Sequence, residues 1–139
     1  MRSRQPTSLV PPHDDQVFPH QSYPPWLALA RVFRTLADVL ARHAPTATLR
    51  PVEVRLFQAA RQIMELARGE LSSAQWHRRV CVAVDRLEQA RGVVGACLVA
   101  GHLPPDEARL LVHELDDTIA RLGEAAARMP LPDGLLGDA

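Results

Sequence analysis

Four segments of this chain repeat apolar residues at alternating steps of three and four, and that period leaves few folds open. Trp26, Leu29, Phe33, Leu36 and Leu40 form the first series, and Val52, Leu56, Ala59, Ile63 and Leu66 the second. The third runs through Trp76, Val80, Ala83, Leu87, Ala90, Val94 and Cys97, and the fourth through Ala108, Val112, Leu115, Ile119, Leu122, Ala126 and Met129. Such spacing is the seam of a helix packed on other helices, and no segment with the two-residue period of a strand competes with it. Breakers separate the segments: Pro45 after the first, Gly69 after the second, Gly101 after the third and Pro130 after the fourth. The pattern predicts an all-α fold, an antiparallel up-down-up-down four-helix bundle over 23–129. A proline-rich arm over 1–22 reads as disordered, and 130–139 as a short flexible tail carrying Leu135 and Leu136.

Local signals sharpen the helix ends. Pro24 and Pro25 suit a first helical turn, and Pro51 is expected near the first turn of a helix that follows Thr48. Ser72 and Gln75 have the spacing of a capping box, with Leu71 and Trp76 placed as a hydrophobic staple. Asp106 and Glu107 follow Pro104-Pro105, where acids complement the helix dipole. Helices one and two also carry second apolar stripes, Val32 and Val39 in one and Phe57, Ala60, Met64 and Ala67 in the other. These read either as a wide core face or as a surface for self-association.

Composition narrows the classes. Aromatic residues are only 4% of the chain, so the core must be aliphatic. Arginines or acids interrupt every apolar stretch before the roughly 18 residues of a membrane span, and the N-terminus lacks the apolar run of a signal peptide. These features point to a cytoplasmic protein without a membrane anchor. Two cysteines make no disulfide framework; Cys81 and Cys97 on one helix are about 24 Å apart at 1.5 Å per residue.

Chemistry-bearing constellations are few. The Glu-x-x-His motif of metal-binding bundles is absent, and His77 with Cys81 at i, i+4 supplies only half a metal site. His113 lies near Asp116 and Asp117, a grouping that reads as a tuned base or as a solvated face of ordinary charge pairs. Arg109 and His113 resemble the Arg–His motif of HEPN ribonucleases, with three intervening residues in place of four to six. No glycine-rich phosphate loop or nucleophile–base set is present, so neither catalytic residues nor a cofactor or metal is expected.

Charge is the more informative feature. All sixteen basic residues are arginine, which fits either arginine-rich codon usage or selection for bidentate phosphate contacts. Between Trp26 and Arg91 eleven arginines face six acids, a net of +5, whereas from Gly92 onward three arginines face eight acids, a net of −5. Arg31, Arg34 and Arg42 stud helix one, Arg55, Arg61 and Arg68 helix two, and Arg78, Arg79, Arg86 and Arg91 helix three. Acids on the same helices (Asp38, Glu53, Glu65, Asp85, Glu88) offer local partners. Ion pairing and nucleic-acid contact therefore both remain open.

Particular motifs lie in the second half of the chain: Trp76-His77-Arg78-Arg79, Asp85-Arg86-Leu87, Gly101-His102-Leu103, and the stretch Leu115-Asp116-Asp117-Thr118-Ile119-Ala120-Arg121-Leu122-Gly123. They resemble a small four-helix-bundle family with two branches. One is encoded in intervening sequences of large-subunit ribosomal RNA genes; the other is the accessory variability protein of diversity-generating retroelements. The resemblance covers about half the chain at motif level. It implies a non-enzymatic homo-oligomer, typically a pentameric ring, that binds a reverse transcriptase and its structured template RNA. Arg55, Arg61, Arg68, Arg78, Arg79 and Arg86 are the residues nominated for phosphate contact. The competing expectation is a protein-interaction bundle, such as a small subunit of a larger assembly, with an RNA-guided complex as one variant, that does not itself touch nucleic acid.

Overall fold

The computed structural model describes residues 22–43 and 46–129. The proline-rich arm, apart from Ser22, and the tail with Leu135 and Leu136 lie outside the described residues. Those residues form four helices and no strand: α1 (Pro24–His43), α2 (Thr46–Arg68), α3 (Ser73–Val99) and α4 (Pro105–Arg128). None is long and apolar enough to cross a membrane.

The ends follow from local chemistry. Pro24 and Pro25 occupy the first two positions of α1, where no N–H donor is needed, and the Leu27 N–H closes the first turn on the Tyr23 carbonyl at 3.0 Å. At the start of α3 both halves of the capping box are present. Ser72 Oγ accepts from the Gln75 N–H at 3.2 Å, and Gln75 Oε1 accepts from the Ser72 N–H at 3.0 Å. The end of α3 is a Schellman turn. Gly101 takes the left-handed conformation at φ 79°, while the His102 N–H reaches the Cys97 carbonyl at 2.8 Å and the Gly101 N–H that of Leu98 at 3.1 Å. One boundary departs from expectation: α2 begins at Thr46, so Pro51 sits inside the helix rather than beside its first turn. A proline there forgoes a single backbone hydrogen bond close to the N-terminus, where the ladder is only beginning.

Each helix packs on two others. α3 lies against α2 and α4, and α1 lies against α4 and less extensively against α2; among the described residues α1 does not adjoin α3, nor α2 adjoin α4. The four therefore surround a single core. The expected seams of α2 and α3 are the buried ones: every residue from Val52 to Leu66 and from Trp76 to Cys97 in the two series is buried. Alanines at 59, 83 and 90 alternate with larger side chains, which lets the helix axes approach closely.

The other pair is rotated from the expected seam. In α1 the buried positions are Pro25, Ala28, Leu29, Val32, Leu36 and Val39, while Trp26, Phe33 and Leu40 are half-buried at the margin. In α4 they are Ala108, Leu111, Leu115, Thr118 and Leu122, while Val112 and Ile119 lie at the margin. Val32 and Val39, expected as a second stripe, thus belong to the core. The Thr118 hydroxyl resolves its own burial by donating to the Glu114 carbonyl at 2.9 Å.

Polar contacts tie α1 to α4 at three levels. Arg42 Nη2 lies 2.7 Å from Glu107 Oε1, Thr35 donates to Glu114, and Arg31 Nη1 lies 3.5 Å from Asp117 Oδ2. His43 Nε2 adds a contact to Glu107 Oε2 at 2.7 Å. Partial burial pushes the Glu107 carboxyl up. Hydrogen bonds from Arg42 and His43, with the charges of both, outweigh that and hold it below the usual carboxylate range.

Candidate nucleic-acid interface

With the apolar seams of α2 and α3 turned inward, their polar residues meet along an outer groove. Gly69, left-handed at φ 72°, turns the chain out of α2, and the Ser72 capping box starts α3 three residues later. This short connection brings the last turns of α2 beside the first turns of α3. Gln58, Arg61, Gln62, Glu65, Arg79 and Arg86 line an open groove of about 600 Å³, with Met64 and Val82 also in its walls, so one carboxylate sits among three guanidiniums. A second hollow of about 280 Å³, to which Gln75 and Arg78 contribute, shares Gln62, Arg79 and Val82 with the first. The two adjoin at these shared side chains along the helix pair.

Four of the six nominated arginines are thereby gathered: Arg61, Arg78, Arg79 and Arg86. The other two lie outside the groove, each bonded to a residue that lines it. Arg55 Nη1 donates to Gln58 Oε1 at 3.3 Å, and Arg68 Nη1 reaches Glu65 Oε2 at 3.3 Å. Neither lines the groove.

The charge within the groove is only partly compensated. Among the described residues Arg61 and Arg78 make no ion pair. Arg79, half-buried at the junction of the two hollows, donates to the neutral amide of Gln62 at 3.0 Å. An amide orients a guanidinium through one acceptor and leaves its charge available, which a carboxylate does not. Arg86 differs, with Asp85 Oδ2 at 2.6 Å from its Nη1. Gln89 donates to the same oxygen at 2.9 Å, so Asp85 is itself shared.

Several arginines elsewhere are engaged by acids, although Arg34 and Arg128 make no ion pair among the described residues. Beside the pairs of Arg31 and Arg42, Arg91 Nε meets Asp116 Oδ1 at 2.9 Å, and Arg121 lies between Asp117 and Glu124 at 3.6 and 3.3 Å. Arg109 meets Asp106 at 3.3 Å. The acidic half of the sequence thus pairs with Arg31 and Arg42 of α1, Arg91 of α3, and Arg109 and Arg121 of α4. The hollows between α2 and α3, by contrast, gather four arginines with Glu65 as their one lining acid.

The groove's glutamines were not singled out by charge. Arg55, Gln58, Arg61 and Gln62 alternate basic and amide side chains at helical spacing, and that alternation is the signal that could have found Gln58 and Gln62.

The remaining candidate groups do not assemble. Among the described residues no cluster of three His, Cys, Asp or Glu side chains is arranged to hold a metal ion. Cys81 is exposed and Cys97 buried, both as free thiols. The Cys97 thiol donates to the Thr48 carbonyl at 3.8 Å, and burial pushes its pKa up, away from thiolate chemistry. Of the acids that follow His113, Glu114 accepts from Thr35, Asp116 is held by Arg91, and Asp117 by Arg31 with Arg121.

No family model, curated protein or solved structure matches the chain.

Proposed function

We propose that this chain is a non-enzymatic RNA-binding accessory protein whose α2–α3 groove takes the phosphate backbone. The observation that carries the reading is Arg79, braced by an amide, with Arg61, Arg78 and Arg86 gathered between α2 and α3 around a single lining acid, Glu65, that Arg68 already pairs. Such a surface attracts polyanions without reading base sequence. The helices run up-down-up-down in this proposal. In support, contacts between α1 and α4 descend through Arg42, Thr35 and Arg31 as they ascend through Glu107, Glu114 and Asp117.

The resemblance of the Trp76–Arg79, Asp85–Leu87 and Leu115–Gly123 stretches to the retroelement accessory family suggests the context. In that context the chain is a cytoplasmic homo-oligomer, a pentamer by resemblance, that binds a reverse transcriptase and its structured template RNA. Repetition of a modest groove around a ring would raise weak contacts to useful avidity.

A triple reversal of Arg61, Arg79 and Arg86 to Glu tests the RNA reading. The expected result is an affinity loss of at least about tenfold, and a salt slope flattened by about 2, three contacts at roughly 0.7 each on a single strand. An unchanged affinity and slope would overturn it. Native affinity purification tests the partner: the expected result is a reverse transcriptase with one defined RNA.

A second reading, a protein-interaction bundle without RNA contact, draws on the exposed Val99 and Leu110, apolar side chains far from the groove arginines in sequence. It expects recovery of a protein alone, with nuclease treatment making no difference.

A further inference from the structure

Phe57 is the one aromatic ring among the described residues that lies mostly in solvent, at 58% exposure. Trp76 is buried, and Tyr23, Trp26 and Phe33 are half-buried. The exposed Phe57 ring is nevertheless supported on one side. Phe33 of α1 holds it through a tilted ring contact, with centroids 5.2 Å apart and planes at 51°. The result is a braced ring offered to water on α2, against α1 and outside the residues that line the basic groove.

Its position on α2 relates it to that groove. Gln58, the next residue, and Arg61, one helical turn on, both line it. Side chains four residues apart on a helix are neighbours, about 5–6 Å between Cβ atoms. An apolar ring contributes nothing to holding phosphates, and the groove arginines need no aromatic neighbour to do so. A ring one helical turn from a guanidinium that makes no ion pair suits a different substrate feature: a base splayed out from the backbone whose phosphate the arginine holds. In a duplex the bases are already stacked inside the helix, and an exposed side chain of this length does not reach their faces.

We infer that Phe57 is a stacking platform for an unpaired base of the RNA whose phosphates occupy the α2–α3 groove, so that the segment bound there is single-stranded. This inference rests on the RNA reading above and adds to it the strandedness of the substrate and a second kind of contact.

The test compares full-length wild type, Phe57→Leu and Phe57→Trp for binding to a short oligouridine, an abasic strand of the same phosphate number, and a duplex RNA. Phe57→Leu keeps an apolar side chain against Phe33 without a π face, and circular dichroism verifies that the variants are folded. Wild type is expected to prefer oligouridine to the abasic strand by about 5- to 150-fold, the range of one base–aromatic stack. Phe57→Leu is expected to lose that preference with its salt slope unchanged, and Phe57→Trp to retain it. If Phe57→Leu binds oligouridine as wild type does, or if wild type does not separate it from the abasic strand, the platform is overturned while phosphate binding in the groove stands. If wild type binds none of the three RNAs at low salt, the RNA reading itself fails. Loss of a co-purifying protein on Phe57→Leu, with RNA binding intact, assigns the ring to a protein contact and equally overturns the inference.

Discussion

The α2–α3 pair and the α1–α4 pair are built from the same residue types and held by different means. α2 and α3 meet through an apolar seam whose outer edge is bridged by amides, as in Arg79 to Gln62. α1 and α4 are laced along their length by charged and hydroxyl contacts, Arg42 and His43 to Glu107, Thr35 to Glu114 and Arg31 to Asp117. The consequence concerns charge more than stability, because exposed ion pairs add at most about 1 kcal/mol each. Acids facing α1 pair with two of its three arginines, Arg31 and Arg42, whereas a glutamine facing the groove orients Arg79 without cancelling it. A chain with zero formal net charge can in this way present one basic groove.

The largest expected effects lie in the core and test the rotation of α4. Leu111 is fully buried and Val112 only half-buried. Leu111→Ala is expected to cost about 2–5 kcal/mol, the range for a core leucine truncated to alanine. Val112→Ala at the margin should cost about 1 kcal/mol. Urea denaturation of both variants measures the difference. Equal losses, or the reverse order, would mean that α4 presents the other stripe.

The next effect is pH-dependent and belongs to the stitched pair. Glu107 has its carboxyl held below the usual range by Arg42 and His43. A lowered folded-state pKa contributes stability that is fully present above the unfolded value of about 4.3. That contribution is lost as pH falls through the lowered folded value. Glu107→Gln should therefore be less stable than wild type at neutral pH, with the gap closing as the pH falls through and below that value. Thermal melts across that range would show it, and a gap that stayed constant would place the Glu107 contribution in packing instead of charge.

The same two pairs differ in how far the residues alone disclosed them. In α3 every seam position from Trp76 to Cys97 is buried, because no competing stripe exists and the Ser72–Gln75 box sets the helix start. In α1 two stripes share Leu29 and Leu36 and differ by one residue elsewhere. The bulkier choice, Trp26, Phe33 and Leu40, suggested the core. Instead the compact Val32 and Val39 sit at the centre and the large side chains cover its edge, an outcome decided by the helix across the interface. In α4 a polar residue hid the seam: Thr118 reads as outward-facing until its hydroxyl is seen to close on the Glu114 carbonyl. The arginines of the site were legible as a set, but their sorting was not. Whether an arginine keeps its charge depends on the side chain facing it from the neighbouring helix, and Gln62 lies seventeen residues before Arg79.

The smallest change that would break the comparison is therefore Gln62→Glu. It gives Arg79 the kind of partner that Arg42 already has, and so makes the groove resemble the α1–α4 face without removing a single arginine. Stability should change by no more than about 1 kcal/mol, as for exposed ion pairs generally. RNA affinity should nevertheless fall severalfold, and the salt slope on a single strand should drop by up to about 0.7, the share of one phosphate contact. Fluorescence anisotropy across a salt series reads both quantities. A Gln62→Glu protein with wild-type affinity and slope would show that the charge on Arg79 is not engaged. The distinction between amide-braced and acid-paired arginines would then have no bearing on what the groove binds.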